Sequence, residues 1–318
     1  MPAAPIATIF IPTYNRPQVV AETLEHLCRL DRIDDIEVLV LDDASEPDIT
    51  GPLAKRFGRF TFLRSDVNRG QSHGRNVLIG RARGELLFGL DDDSWYLRPD
   101  AITRALEVFA RHPSAGLLSF RIRWADGRAM PEQPAAIRPV RTFIACGYAI
   151  RKSVAQSVGG FLAPLRRQGE EQELSLRILD AGYDILQIDD IDVHHLETDE
   201  GRDHQLHHAL AMRNELLTIA LRYPLRCGLT AGPRVLASHA VYCWRQKWFR
   251  AYRGGLIGFI GRSGWALRNR APVSRATLAR YRQLAREARN PTTCSPSKAQ
   301  PPEASERPAR ASRTSFSN

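Results

Sequence analysis

The feature that most constrains this chain is a short apolar run, Leu86-Leu87-Phe88-Gly89-Leu90, that ends directly in Asp91-Asp92-Asp93. A run of this length bounded by polar residues reads as a buried strand. Three adjacent carboxylates at its end repel one another, and nothing in the neighbouring sequence neutralises them. A hard divalent cation does, and oxygen ligands suit Mg2+ or Mn2+. Chelated by a diphosphate, such an ion stabilises the charge that develops when a nucleoside diphosphate departs. The plainer alternative is a solvated acidic turn capping the next helix. Its place at a strand end weighs against that.

The acidic run sits in an alternating pattern. Residues 7–11, 36–41, 59–63 and 85–90 read as strands, with helices over 17–30, 49–57, 71–82 and 99–112. Such alternation predicts an α/β domain with a mostly parallel sheet and helices on both faces. Ligands bind such sheets beyond the carboxyl ends of the strands. The first strand ends at Thr13-Tyr14, a hydroxyl and an aromatic face against which a nucleotide base can lie. The second ends at Asp42, which can accept from a base N–H or a ribose hydroxyl; it can equally serve as a helix cap.

Farther on, residues 122–140 read as a loop, 170–181 as a helix closed by Gly182, and 183–188 and 191–195 as strands. From residue 202 the pattern is helical only, with breaks expected at Pro224, Pro233 and Pro272. From residue 290 the chain is rich in Pro, Ser, Ala and Arg and reads as a disordered tail.

Taken together, Ile11-Pro12-Thr13-Tyr14-Asn15-Arg16-Pro17, Val40-Leu41-Asp42-Asp43-Ala44-Ser45, Asn68-Arg69-Gly70 with Arg75-Asn76, Leu90-Asp91-Asp92-Asp93, and Glu170-Glu171-Gln172-Glu173 resemble family 2 glycosyltransferases of the GT-A fold. Each motif is weak alone; five in one register are specific. The resemblance covers roughly residues 6–197. It implies an inverting transfer from a nucleotide-sugar donor to a saccharide or lipid-linked acceptor, with Mg2+ or Mn2+ as cofactor. By position, Thr13, Tyr14, Asp42, Arg75, Asp91 and Asp92 would bind the donor, and Asp93 and His194 the metal. Glu171 would be the catalytic base, although relatives carry Asp there. The domains expected are 1–200 for the GT-A unit, 201–289 for a basic helical region and 290–318 for the tail.

Charge divides the chain in the same place. Residues 201–318 hold 21 Lys and Arg against 5 Asp and Glu, whereas residues 1–200 hold 24 against 30. A basic back half faces something anionic. Over 237–259, Ala237, Val241, Trp244, Trp248, Tyr252 and Leu256 recur at helical spacing with arginines alongside, a pattern suited to an anionic membrane surface or to packing on the catalytic domain. No nucleic-acid motif accompanies the charge, so nucleic acid is not an expected partner. Five scattered cysteines without C-x-x-C spacing fit a cytoplasmic location better than a disulfide framework. No signal peptide or membrane span is expected, and the location implied is peripheral, at the inner face of the cell membrane.

Other chemistries fail on spacing. Gly70-Gln71-Ser72-His73-Gly74 fits the G-x-S-x-G hydrolase pattern, but the preceding strand has already ended six residues earlier. Neither G-x-G-x-x-G nor a Walker-type loop occurs, which argues against dehydrogenases and P-loop NTPases. A nucleotidyltransferase of related fold would carry a glycine-rich basic loop after the first strand, and Pro12–Pro17 is not one.

Overall fold

A computed structural model of the chain describes residues 4–130, 137–197 and 203–288. The expected disordered tail lies outside the described residues. The strands with the longest unbroken apolar runs lie at the centre of the sheet, as strands covered on both faces must. β1 (Ala7–Thr13) is buried along its whole length. It runs parallel to β2 (Ile36–Asp42), in register from Ala7 opposite Ile36 to Thr13 opposite Asp42. β3 (Thr61–Arg64) lies parallel outside β2, and β4 (Leu86–Leu90) parallel on the other side of β1. Helices α1 (Pro17–Leu27), α2 (Thr50–Arg56) and α3 (Gln71–Arg81) connect them. This first half is the parallel sheet the sequence pattern predicts.

The second half is mixed. After β5 (Ser94–Tyr96), α4 (Ala101–Arg111), β6 (Ala115–Trp124) and β7 (Ile137–Pro139), strand β8 (Gly147–Arg151) inserts antiparallel between β4 and β6. Next come α5 (Lys152–Ser157), α6 (Glu170–Asp180) and β9 (Asp184–His195), which runs parallel to β6. The sheet order is β3-β2-β1-β4-β8-β6-β9-β5, with β7 also on β9. Gly89 in β4 makes room for this insertion, since a Cβ there would lie 2.2 Å from the Tyr148 ring on β8.

Two expectations change here. The stretch read as a loop from residue 122 begins as strand, because β6 continues to Trp124 and its Arg121 and Arg123 pair with Asp192 of β9. The two short strands expected over 183–195 are one, with a register shift that leaves 189–191 bulged between Ile188 and Asp192.

The helical region comprises α7 (His204–Arg222), α8 (Leu225–Gln246), α9 (Phe249–Arg268) and α10 (Arg275–Glu287). Pro224 caps α8 and Pro272 lies between α9 and α10, but Pro233 sits inside α8 on an exposed position and does not break it. The break falls instead at Lys247, which is left-handed at φ 59° and ends α8. The aromatic stripe expected over 237–259 is therefore divided. Trp248 and Tyr252 pack on Ala209, Cys243 and Ala251, whereas Trp244 is 69% exposed. Among the described residues no helix is long and apolar enough to cross a membrane.

Candidate active site

The ends of β1, β2, β4 and β9 converge. Parallel pairing puts Thr13 beside Asp42, and β4 delivers Asp91-Asp92-Asp93 next to them. Antiparallel pairing of β5 with β9 sets Ser94 opposite His195, and the Leu196 N–H donates to the Asp93 carbonyl at 2.9 Å. The result is a cluster in which ligand atoms of Asp91, Asp93 and His195 all lie within 4.8 Å of one another. His195 Nε2 is 3.2 Å from Asp93 Oδ1. The neighbouring His194, expected at the metal, is not there. Successive strand residues face opposite ways, and His194 lies against the Trp95 ring at 4.5 Å, with His26 stacked on the same ring at 4.2 Å.

Each aspartate has its own environment. The Arg16 guanidinium donates to Asp92 Oδ1 at 2.6 Å and to Asp93 Oδ2 at 3.0 Å, and the Thr13 hydroxyl donates to Asp92 Oδ2 at 2.8 Å. Burial pushes the Asp92 carboxyl up to about 7, a rise that Arg16 opposes. Asp93 is also buried, yet the hydrogen bond from His195 and the charges of His195 and Arg16 hold it down at about 2. Burial disfavours the charged His195 ring, but Asp93 outweighs it and raises its pKa. Asp91 is the most exposed of the three, at 20% of its side chain.

Beneath Asp91 lies Arg75, expected beside the nucleotide. Its side chain is 1% exposed and is committed at both ends, to Asp91 Oδ1 at 2.7 Å and Glu170 Oε1 at 2.9 Å. It forms part of the site's floor, because α3 aims it under the strand ends. The Asn76 side chain ties the same helix to Phe161, donating to its carbonyl and accepting its N–H, each at 2.7 Å. That arrangement requires Gly160, at φ 66°, where a Cβ would come 2.5 Å from Asn76 Oδ1. Glu170 and Glu173 are buried, Glu173 between Arg177 and Arg222. Glu171 is the half-buried residue of the three, and desolvation of its carboxyl together with neighbouring Glu170 pushes its pKa up.

Of the remaining expected residues, Tyr14 is 46% exposed at the mouth. Asp42 is buried, ion-paired with Arg64 and accepting the Ser45 N–H at 2.9 Å. Sequence reasoning assigned no role to Arg16, His195 or Asp43. Asp43 accepts the N–H groups of Arg69 and Gly70, the latter at 2.7 Å, and so anchors the Asn68-Arg69-Gly70 turn to β2. Only the register of β5 on β9 separates His195 from His194, and no local signal carries that register.

The donor set suits a divalent cation. The two carboxylates suit Mg2+ or Mn2+, and the imidazole, a softer nitrogen ligand, favours Mn2+ of the two. His195 presents Nε2 to this cluster, 3.2 Å from Asp93 Oδ1, while its Nδ1 is buried with no hydrogen-bond partner.

Residues 8–163 match the family model "Glycosyl transferase family 2". Among curated relatives, an uncharacterized glycosyltransferase of Haemophilus influenzae is 26% identical over 184 residues, covering 54% of this chain and 61% of its own length. WcaA of Escherichia coli K12, named as a glycosyl transferase for colanic acid biosynthesis, is 33% identical over 34% of this chain and 38% of its own. The chain thus spans less than two thirds of these relatives. Among solved structures, the mannosyltransferase PcManGT of Pyrobaculum calidifontis, in complex with GDP-Man and Mn2+, superposes with TM-score 0.56 at 18% identity, over 91% of this chain and 82% of that one. S. aureus TarS 1-349 with UDP-GlcNAc gives TM-score 0.57 at 16% identity, over 90% and 92%. These likenesses establish the fold. Residues 8–163, which carry the first four motifs, are thus matched as a glycosyl transferase family 2 domain.

Proposed function

We propose that this chain transfers a glycosyl group, with inversion, from a nucleoside-diphosphate sugar to an acceptor hydroxyl in polysaccharide or lipid-linked glycan synthesis. The observation that carries this reading is the convergence of Asp91, Asp93 and His195 with Glu171 across the buried Arg75. Tyr14 offers its ring to the base, while Thr13 and Asp42 shape the pocket behind it. Asp91 faces the donor, and Asp93 and His195 hold the cation. When bound, that cation offsets charge on the departing diphosphate.

Glu171 accepts the proton of the acceptor hydroxyl as its oxygen attacks the anomeric carbon, while the bond from that carbon to the diphosphate oxygen breaks and its electron pair leaves with the nucleotide. Glu170 is less suited to this role, because it is 2% exposed and its Oε1 is ion-paired with Arg75. Arg75 positions both sides of the site, holding Asp91 and Glu170 in one network. The reading is tested by incubating the protein and Mn2+ with a panel of UDP- and GDP-sugars. Donor turnover by wild type that is lost in Glu171→Gln supports it; no turnover or hydrolysis of any donor opposes it. Support for these donor classes comes from neighbours whose structures contain GDP-Man and UDP-GlcNAc.

We further read the helices from His204 onward as a unit that rests peripherally on an anionic membrane surface. Residues 216–286 contain 14 Lys and Arg and no Asp or Glu. Ala251, Gly255 and Ala266 bury one face of α9, while Phe249, Ile257, Ile260 and Leu267 are 60–66% exposed on the opposite face. An apolar stripe flanked by arginines suits the interface of an anionic bilayer.

A further inference from the structure

We propose that Arg16 is an exchange cation for this site: it neutralises Asp92 and Asp93 until a divalent ion takes their charge, and then turns to the donor's diphosphate. This rests on the metal reading above and adds a role for a residue outside it.

The geometry favours exchange over a fixed structural pair. Arg16 spans two carboxylates, at 2.6 Å to Asp92 and 3.0 Å to Asp93, and leaves Asp93 Oδ1 to His195. A guanidinium and a divalent ion sharing the Asp93 carboxylate repel each other, so binding of one disfavours the other. The aspartates are 8% and 2% exposed, whereas the Arg16 side chain is 28% exposed and reaches in from the solvent edge. Arg75 presents the contrast, since it is 1% exposed and locked between two acids.

The backbone carrying Arg16 is held firmly, so a move need involve only the side chain. Asn15 stands at φ 53°, its N–H donates to Ser45 Oγ at 2.7 Å, and its side-chain oxygen accepts the Glu46 N–H at 2.9 Å. Those bonds staple the loop after β1 to the loop after β2. Arg16 then caps α1, ahead of Pro17, at the helix end that favours anions. A planar guanidinium matches phosphate oxygens as well as it matches carboxylates. Once released from Asp92 and Asp93, it has the diphosphate as its natural anion.

The test uses calorimetry on the full chain, first with Mn2+ alone and then with UDP or GDP in saturating Mn2+, for wild type, Arg16→Gln and Arg16→Lys. Removing the competing cation should tighten Mn2+ binding in Arg16→Gln by about tenfold and weaken the nucleotide by about tenfold, the scale of one charge-assisted hydrogen-bonded contact. Arg16→Lys keeps the charge but not the fork, so Mn2+ affinity should stay near wild type while the nucleotide binds more weakly. If Arg16→Gln does not fold by circular dichroism, Arg16→Lys decides the matter, and undiminished nucleotide binding in it overturns the proposal. Unchanged or weaker Mn2+ binding by a folded Arg16→Gln overturns it too, while leaving the metal site standing. If neither wild type nor Arg16→Gln binds Mn2+, both the exchange and the metal reading fall.

Discussion

Arg75 and Glu170, 95 residues apart in sequence, meet in a buried ion pair at 2.9 Å, and this contact ties the Asp91 side of the cleft to α6, which carries the proposed base Glu171. It also gives two adjacent glutamates different surroundings, and the proposed mechanism gives them different roles. Glu170→Gln removes one partner of a buried pair and should cost about 3 kcal/mol of stability, read as a lower denaturation midpoint. Glu171→Gln should keep stability and nucleotide affinity but lower kcat by about two to four orders of magnitude. The opposite pattern would exchange their roles.

Adjacent histidines make a second pair of contrasts. His195→Ala should abolish the Mn2+-dependent part of nucleotide affinity, since it removes one of the three clustered ligands. His194→Ala should leave that affinity intact and lower thermal stability through lost packing on Trp95. Calorimetry with and without Mn2+, beside a thermal melt, reads both effects. Loss of metal dependence in His194→Ala alone would reverse the assignment.

Asp92 predicts a pH dependence of stability in EDTA. Burial raises its folded pKa to about 7, well above the ordinary aspartate range, so the folded state holds the proton more tightly. The associated stability is fully present below about pH 4 and is lost as pH rises through about 7. Asp92→Asn removes this titration. Its melting temperature should match wild type near pH 4 and exceed it at pH 8, by about 2–4 °C for each kcal/mol in a domain of this size. A gap that does not change with pH counts against the buried, desolvated carboxylate.

The membrane reading can be tested by co-sedimentation. Wild type should pellet with anionic but not neutral vesicles, and added salt should weaken binding, since each basic residue contributes about 1 kcal/mol near the surface. Replacing exposed Trp244, Phe249 and Ile257 with Ser should reduce pelleting further without lowering the melting temperature. Trp248 and Tyr252, packed on Ala209, should instead affect stability. Equal binding to neutral vesicles contradicts the charge argument.

What could be read from the sequence was local. β1, β2 and β4 are predominantly apolar runs that end at Thr13, Asp42 and Asp91, so the same residues mark the strand ends and the candidate ligands. Antiparallel insertion of β8 depends on Tyr148 fitting over Gly89, a long-range contact with no periodic trace. The same holds for His195, placed by pairing of β9 with β5, and for Arg16, whose partners lie 76 and 77 residues away. The break at Lys247 leaves no sequence signal, because a single left-handed lysine leaves helical spacing on both sides undisturbed. Arg75 reads as a donor ligand from its motif, and its burial between Asp91 and Glu170 has no trace in the local sequence.

The most direct test of the central claim is calorimetric titration of UDP and GDP into the wild-type chain in Mn2+ and again in EDTA, with Asp93→Asn alongside. The account predicts that one of the nucleotides binds wild type in Mn2+, and that affinity falls by about a hundredfold or more in EDTA or in Asp93→Asn, as expected when a charge held at the diphosphate is removed. Equal affinity in Mn2+ and EDTA, with Asp93→Asn indistinguishable from wild type, would contradict it.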